Sequence, residues 1–348
     1  MQPARPRPRL VPQLLPTERP LADDGRTACT RQRRRPVNPA EQQEEPVCDV
    51  ISGLRAPIKT LPVRLLYDTR GAALFEQITA VEDYYLTRAE LALLEATLPQ
   101  IAERVGPHAR VIEPGSGAGR KTRMLLGALA APATYVPIDV AEAQLADTAT
   151  TLRRAFPGLE VLPVLGDYTS ALAMPTSAQK FAKTLAFFPG STIGNFEPSE
   201  AKAFLARLGQ MAGPSAMLLL GADGNANRDE LLRAYDDSEG VTAAFDLNVL
   251  AHLNSAHGAS FDLDQFMHRA VWNAAKSRIE MHLVSKKTQT VTVWNEAVTF
   301  ARGEPVVTEH CYKHSPAALE AMLRASGWKV IETFVDPDQR MRLWLAQR

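Results

Sequence analysis

A doubly wound α/β domain interrupted by a smaller α+β lobe is the fold class that this 348-residue sequence predicts. Three observations lead there. Short apolar runs alternate with helix-periodic runs between residues 110 and 212, up to a last strand at 216–221. The rhythm then stops for about ninety residues, a length that suffices for a lobe of its own. It resumes from residue 315 to the end. Such alternation gives a mostly parallel sheet with helices on both faces, whose ligands sit beyond the carboxyl ends of the strands.

The strand-like runs are 110–113, 134–138 (TYVPI), 160–165 (EVLPVL), 184–188 (TLAFF) and 216–221 (AMLLLG). Helix-like runs at 119–130, 141–155 and 198–212 separate them; the last opens on Pro198, which suits a first-turn position. Upstream, 71–79 and 88–104 carry apolar residues at helical spacing, with VEDYYLT as the loop between them. Within the interruption, 227–258 reads as helical and 268–300 as antiparallel strands. Helix 315–326 and strands 328–335 and 341–346 complete the chain, the two strands forming an antiparallel edge hairpin. The organisation expected is a cofactor-binding domain from 89–225 and 313–348, and a substrate lobe from 48–88 and 226–312. Residues 1–47, Pro- and Arg-rich and then acidic, lack any periodic apolar pattern and are expected to be a disordered tail.

Composition narrows the function. A net charge of zero argues against nucleic-acid or membrane-surface partners. No apolar run approaches the ~18 residues of a membrane span. Three cysteines (Cys29, Cys48, Cys311) give no disulfide framework, so a reducing cytoplasm is the expected compartment. The seven histidines are scattered, and no metal-ligating set is expected.

The first loop of the alternating region reads EPGSGAGRKTR, 113–123. Gly115 and Gly117 permit a tight turn and close backbone approach to a ligand. A dinucleotide fingerprint requires glycine where Arg120 stands, and a phosphate loop requires a different spacing before its Gly-Lys-Ser/Thr. Glu113, ahead of the turn, would repel a pyrophosphate but suits a sulfonium cofactor with a free amino group. S-adenosylmethionine has both positive charges and no phosphate. Asp139 ends the next strand, 24 residues after Gly115, where a carboxylate can accept ribose hydroxyls. Asp167 ends the third strand and can accept from an adenine amino group, with Tyr168 beside the base. Each aspartate alone reads equally well as a helix N-cap; three acids at successive strand ends favour the cofactor.

With these residues the chain, from about Arg64 onward, resembles the histidine Nα-methyltransferase family of ergothioneine biosynthesis. The stretches that carry the resemblance are LLYDTRGAALFEQIT, DYYLTRAE, EPGSGAGRKTR, YVPIDV, GDY, GSTIGNFEP, AYDDSEGVTAAFDLNVL, RIEMHLVS and TEHCYK. The fungal dimethylallyltryptophan N-methyltransferases are relatives. The resemblance implies a Rossmann-like class I methyltransferase domain, S-adenosylmethionine as cofactor, L-histidine as small-molecule substrate, and a monomer. Gly115, Lys121, Asp139, Asp167 and Tyr168 would hold the cofactor. Gly190 and Asn195 would lie beside the amino and carboxylate ends of the substrate, and Tyr235 would also grip the carboxylate. Tyr84 and Glu309 would hold the imidazole, Met281 would line its pocket, and Tyr67 would stand near the amino group.

These roles are chemically coherent. Asn and Tyr are neutral donors for a carboxylate, and a carboxylate opposite an imidazole N–H makes a charge-assisted bond. A purely apolar side chain would leave Glu309 buried and unpaired. The chain departs from the family at Cys311, where a serine commonly contacts the imidazole; a thiol is a weaker, softer donor. The rival readings are an N-methyltransferase for another aromatic amino acid, a nicotinamide-dependent oxidoreductase, and a non-catalytic cofactor-binding protein.

Overall fold

The computed structural model describes residues 41–348. The predicted tail lies outside the described residues up to position 40. Its last seven positions are not tail but the start of helix α1 (Glu41–Arg55). A two-residue strand β1 (Lys59–Thr60), a 3-10 turn (Val63–Leu66) and α2 (Thr69–Ile78) follow. Asp68 caps α2 by accepting from Gly71 N at 2.7 Å. Helix α3 (Tyr85–Val105) begins inside the stretch expected to be a loop: Tyr84 is its cap residue and Tyr85 its first member.

The main sheet then grows strand by strand. β2 (Ala109–Pro114), α4 (Arg120–Ala128), β3 (Thr134–Asp139) and α5 (Glu142–Ala155) alternate as expected. The run 160–165 becomes two fragments, β4 (Glu160–Val161) and β5 (Val164–Leu165), both paired with β3. Pro163 lies between them, and proline has no N–H for a ladder. β6 (Lys183–Phe188), a 3-10 turn (Thr192–Asn195), α6 (Pro198–Ala212) and β7 (Met217–Asp223) follow. α6 begins where Pro198 predicts, and the Glu200 carboxylate accepts from Glu197 N at 3.1 Å.

After β7 come α7 (Arg228–Tyr235) and α8 (Val241–His257), then strands β8 (Phe266–Asn273), β9 (Arg278–Ser285), β10 (Gln289–Val293), β11 (Glu296–Phe300) and β12 (Pro305–Tyr312). The last of these was not expected from the sequence. The chain closes with α9 (Pro316–Ala325), β13 (Lys329–Val335) and β14 (Met341–Gln347).

The large sheet has the order β13-β14-β7-β6-β2-β3-β4, with β5 also on β3. Its centre is parallel; β14 runs antiparallel to β7, and β13 to β14, giving the expected edge hairpin. β7 is buried along its whole length, as a strand covered on both faces must be. The second sheet, β1-β12-β9-β8, takes its strands from both sides of the main one in sequence. β10 and β11 form a separate hairpin. Among the described residues no helix is long and apolar enough to cross a membrane. Cys311 is a free, buried thiol.

Candidate active site

The glycine turn links the end of β2 to the start of α4. Gly115, Gly117 and Gly119 all have left-handed backbone (φ 69°, 49° and 69°), a region costly for any residue with a Cβ. Gly115 N donates to Ile138 O at 2.7 Å, which ties the turn to the end of β3. Tyr168 lies against the turn: a Cβ on Gly115 would sit 3.5 Å from its ring. That ring makes edge contacts with Phe188 and Phe204 at 6.1 and 5.7 Å.

The acids of this region have local partners. Glu113 is 2 % exposed, and its Oε2 accepts from Thr122 Oγ1 at 2.7 Å and Tyr135 Oη at 2.5 Å. Burial pushes its carboxyl up to about 7 against the pull of these donors. It thus braces the turn from beneath, a task the sequence does not reveal, while still lining the cleft. Asp139 accepts from Ala141 N at 3.0 Å and Gly117 N at 3.4 Å. Asp167 accepts from Thr169 N and Oγ1 at 2.7 and 2.6 Å. Both aspartates bond to loop groups and neither is a helix N-cap: Ala141 takes that place on α5, and no helix follows Asp167.

Lys121, on the first turn of α4, forms an ion pair with Glu90 of α3. Glu90 is fully buried, and its two oxygens also accept from Gly190 N at 2.8 and 2.9 Å. One carboxylate therefore joins the glycine turn to the turn after β6. These parts line a cleft of about 170 Å³, with Tyr84, Phe75 and Thr192 on its other walls. A hollow of about 570 Å³, lined by Tyr67, Asp68, Val140, Ala141 and His252, shares Glu76 with it.

A second group of predicted residues gathers on the second sheet; none of them lines the two cavities. Glu309 on β12 is the cross-strand partner of Met281 on β9, so both side chains share one face; Cys311, two residues on, shares it too. Asn195 Nδ2 donates to Glu309 Oε1 at 3.3 Å. Glu309 Oε2 is buried and has no hydrogen-bond partner among the described residues. Burial, with the Asp246 charge adding to it, pushes this carboxyl up to about 7. The turn bearing Asn195 passes so close to β12 that a Cβ on Gly194 would stand 2.7 Å from Tyr312 O and 2.9 Å from Cys311 Sγ.

An aromatic wall completes the pocket. Tyr67 meets Phe75 and Phe245 edge-on at 5.6 and 5.4 Å; Phe75 meets Tyr84 at 6.5 Å, and Tyr84 meets Tyr235 at 6.1 Å. Burial, first among the causes, raises the hydroxyl pKa of Tyr67, Tyr84 and Tyr235 well above the usual value. All three are donors at neutral pH.

Behind the wall lie charges that the sequence reading missed. Lys313 Nζ stands 2.6 Å from Asp223 Oδ2, and Tyr85 Oη donates to the same oxygen at 2.7 Å. His268 Nε2 faces Tyr235 O at 2.8 Å and so carries a proton, while Nδ1 stands 2.6 Å from Asp246 Oδ2. Burial alone lowers the His268 pKa, but the Asp246 carboxylate outweighs it and the net direction is up. Thr308, at a bulge beside Glu309, donates to Asp246 Oδ1, and its hydroxyl oxygen also lies 3.0 Å from Met281 O. Glu90, Lys313 and Asp246 lie within stretches that carry the family resemblance (DYYLTRAE, TEHCYK, AAFDLNVL), which was the available signal. Asp223 and His268 lie outside those stretches.

A glycine turn at the carboxyl end of a parallel sheet, acids at the tips of the next strands and a polar pocket facing them define an S-adenosylmethionine-dependent methyltransferase. The sequence matches the family model described as histidine-specific methyltransferase, SAM-dependent, over residues 46–348. It is 41 % identical over 305 residues to the histidine N-alpha-methyltransferase of Mycobacterium tuberculosis, covering 86 % of this chain and 94 % of that protein. The 4-dimethylallyltryptophan N-methyltransferase of Aspergillus fumigatus is 26 % identical over 306 residues, covering 83 % and 89 % of the two chains. Ergothioneine biosynthesis protein 1 of Schizosaccharomyces pombe is 27 % identical over 286 residues, 79 % of this chain but 37 % of that longer protein. The chain belongs to the histidine-specific, S-adenosylmethionine-dependent methyltransferase family.

Proposed function

We propose that this enzyme methylates the α-nitrogen of L-histidine three times, giving Nα,Nα,Nα-trimethylhistidine (hercynine) for ergothioneine biosynthesis. The observation that carries the choice of histidine is Glu309: a buried carboxylate with one unpartnered oxygen, on the face that also bears Met281 and Cys311. An imidazole N–H satisfies that oxygen, whereas an indole or phenyl ring brings a different shape or no donor.

The residues present fit the cofactor. Gly117, in the left-handed turn, leaves its backbone open to close approach, and Tyr168 lies beside Gly115. When bound, S-adenosylmethionine supplies a sulfonium methyl that the substrate's α-nitrogen takes by in-line displacement. Glu113, Gly115, Gly117, Lys121, Asp139, Asp167 and Tyr168 hold the donor in this reading. Asn195 and Tyr235 hold the substrate carboxylate, Gly190 the amino end, and Tyr84 and Glu309 the ring. Orientation and exclusion of water are the chain's contribution. Tyr67, with its hydroxyl kept protonated by burial and by the Glu309 charge, orients the amine and does not serve as its base. The amine loses its proton to solvent through the cleft. The aromatic wall tolerates the growing cation by cation–π contact.

In this reading 89–225 and 313–348 form the cofactor domain, and 48–88 and 226–312 the substrate lobe. A monomer in the cytoplasm suits two small polar reactants. The deciding experiment gives purified protein labelled S-adenosylmethionine and each of the twenty amino acids, and reads product masses. Three methyls on histidine alone supports the proposal; methylation of tryptophan instead, or of nothing, refutes it.

A further inference from the structure

Lys313 follows the strand that bears Glu309 and Cys311, and its side chain is 2 % exposed. An ammonium has three protons and no acceptor. Here three acceptors surround it: Asp223 Oδ2 at 2.6 Å, Tyr235 Oη at 3.0 Å and Cys311 Sγ at 3.5 Å. Asp223 is itself held, since Oδ2 also accepts from Tyr85 Oη at 2.7 Å and Oδ1 from Asn225 N at 2.9 Å. The lysine is therefore fixed at the last residue of β7 and cannot swing away.

The consequence falls on Tyr235. Because the ammonium only donates, the Tyr235 oxygen must accept from it, and the phenol proton must point elsewhere: to Cys311 in the ligand-free chain, and to a carboxylate, a far stronger acceptor than a thiol, when one is bound. A carboxylate carries no proton, so a hydroxyl grips it only by donating. We propose that Lys313 is a positioning residue that fixes Tyr235 as a hydrogen-bond donor toward the carboxylate of the amino-acid substrate. This rests on the reading above, in which Tyr235 grips that carboxylate. Asp223 has the matching part of holding Lys313 in place. The arrangement deepens the specificity of the site: it selects a free amino acid over the corresponding amine.

Replacing the lysine alone strands a buried carboxylate and endangers folding. The test therefore uses the double variant Lys313→Met with Asp223→Asn, which removes both charges, beside Tyr235→Phe and the triple variant. Affinities for L-histidine, for histamine (the same ring and amine without the carboxylate) and for S-adenosylmethionine are measured by calorimetry. The double variant is expected to bind histidine roughly tenfold to a hundredfold more weakly. Its histamine and S-adenosylmethionine affinities should change by less than about threefold, and the triple variant should be no worse than Tyr235→Phe alone. Equal losses for histidine and histamine, unchanged histidine binding, or losses that add in the triple variant overturn the proposal. Wild-type protein that binds no histidine overturns the underlying reading of the site and this inference with it.

Discussion

Replacing Glu309 by glutamine should make the ligand-free enzyme more stable while weakening its hold on histidine. The side chain is 7 % exposed and one of its oxygens has no partner, so the ionised form is held at a cost. Burial lifts the carboxyl from 4.5 to about 7. Across that interval the difference corresponds to ~3 kcal/mol, an upper figure once local relaxation is allowed for. The sign follows from the direction. A carboxyl raised in the folded state imposes no penalty below the unfolded pKa. The penalty grows as pH rises between 4.5 and about 7 and is complete above it. Glu309→Gln should therefore melt roughly 3–8 °C higher than wild type at pH 8, and the gain should shrink toward zero near pH 5. The same variant should bind histidine roughly tenfold to a hundredfold more weakly, through loss of a charge-assisted bond. Thermal melts at the two pH values and calorimetry with histidine read both effects. A variant that melts at or below wild type at pH 8 would show that the carboxylate is already satisfied without substrate, and the reasoning would fail.

Other substitutions probe neighbouring parts. Cys311→Ser exchanges a weak donor for a strong one and should tighten histidine binding by about threefold to tenfold in calorimetry, with S-adenosylmethionine affinity unchanged. Gly194→Ala places a methyl 2.7 Å from Tyr312 O, so the Asn195 turn or β12 must move; a loss of about 2 kcal/mol in denaturant unfolding and a KM for histidine raised about tenfold are expected. His268→Gln removes an imidazole whose pKa is raised in the fold. Its stabilisation is full below the unfolded value near 6.5 and is lost as pH rises through the folded value. The melting difference between wild type and His268→Gln should accordingly be larger at pH 6 than at pH 9.

The α/β frame was legible because its strands are short apolar runs bounded by turns, and because Pro198 marks a helix start without tertiary help. Elements that depend on distant partners were not. α1 contains Pro46 and a polar first half, so nothing periodic announces it. β12 mixes Glu309 and His310 into its end, and only pairing with β9 and β1 makes it a strand. The residues proposed for the site were picked out through motifs. Their supports were hidden by sequence distance: Glu90 meets Gly190 a hundred positions away, and Tyr85 meets Asp223 across 138. A charged residue inside an apolar helix reads as a solvated face until its partner is seen. Glu113 shows the reverse case, a residue picked out for its charge whose bonds run to Thr122 and Tyr135 beneath the turn.

Glu90 is given no ligand to hold in the proposed arrangement, yet both proposed half-sites hang from it. Its carboxylate is shared between Lys121, which opens the donor half, and the backbone of Gly190, at the edge of the acceptor half. Neither loop can drift without breaking a bond that also restrains the other. Misalignment in one loop is thus transmitted to the other through a single buried carboxylate on α3.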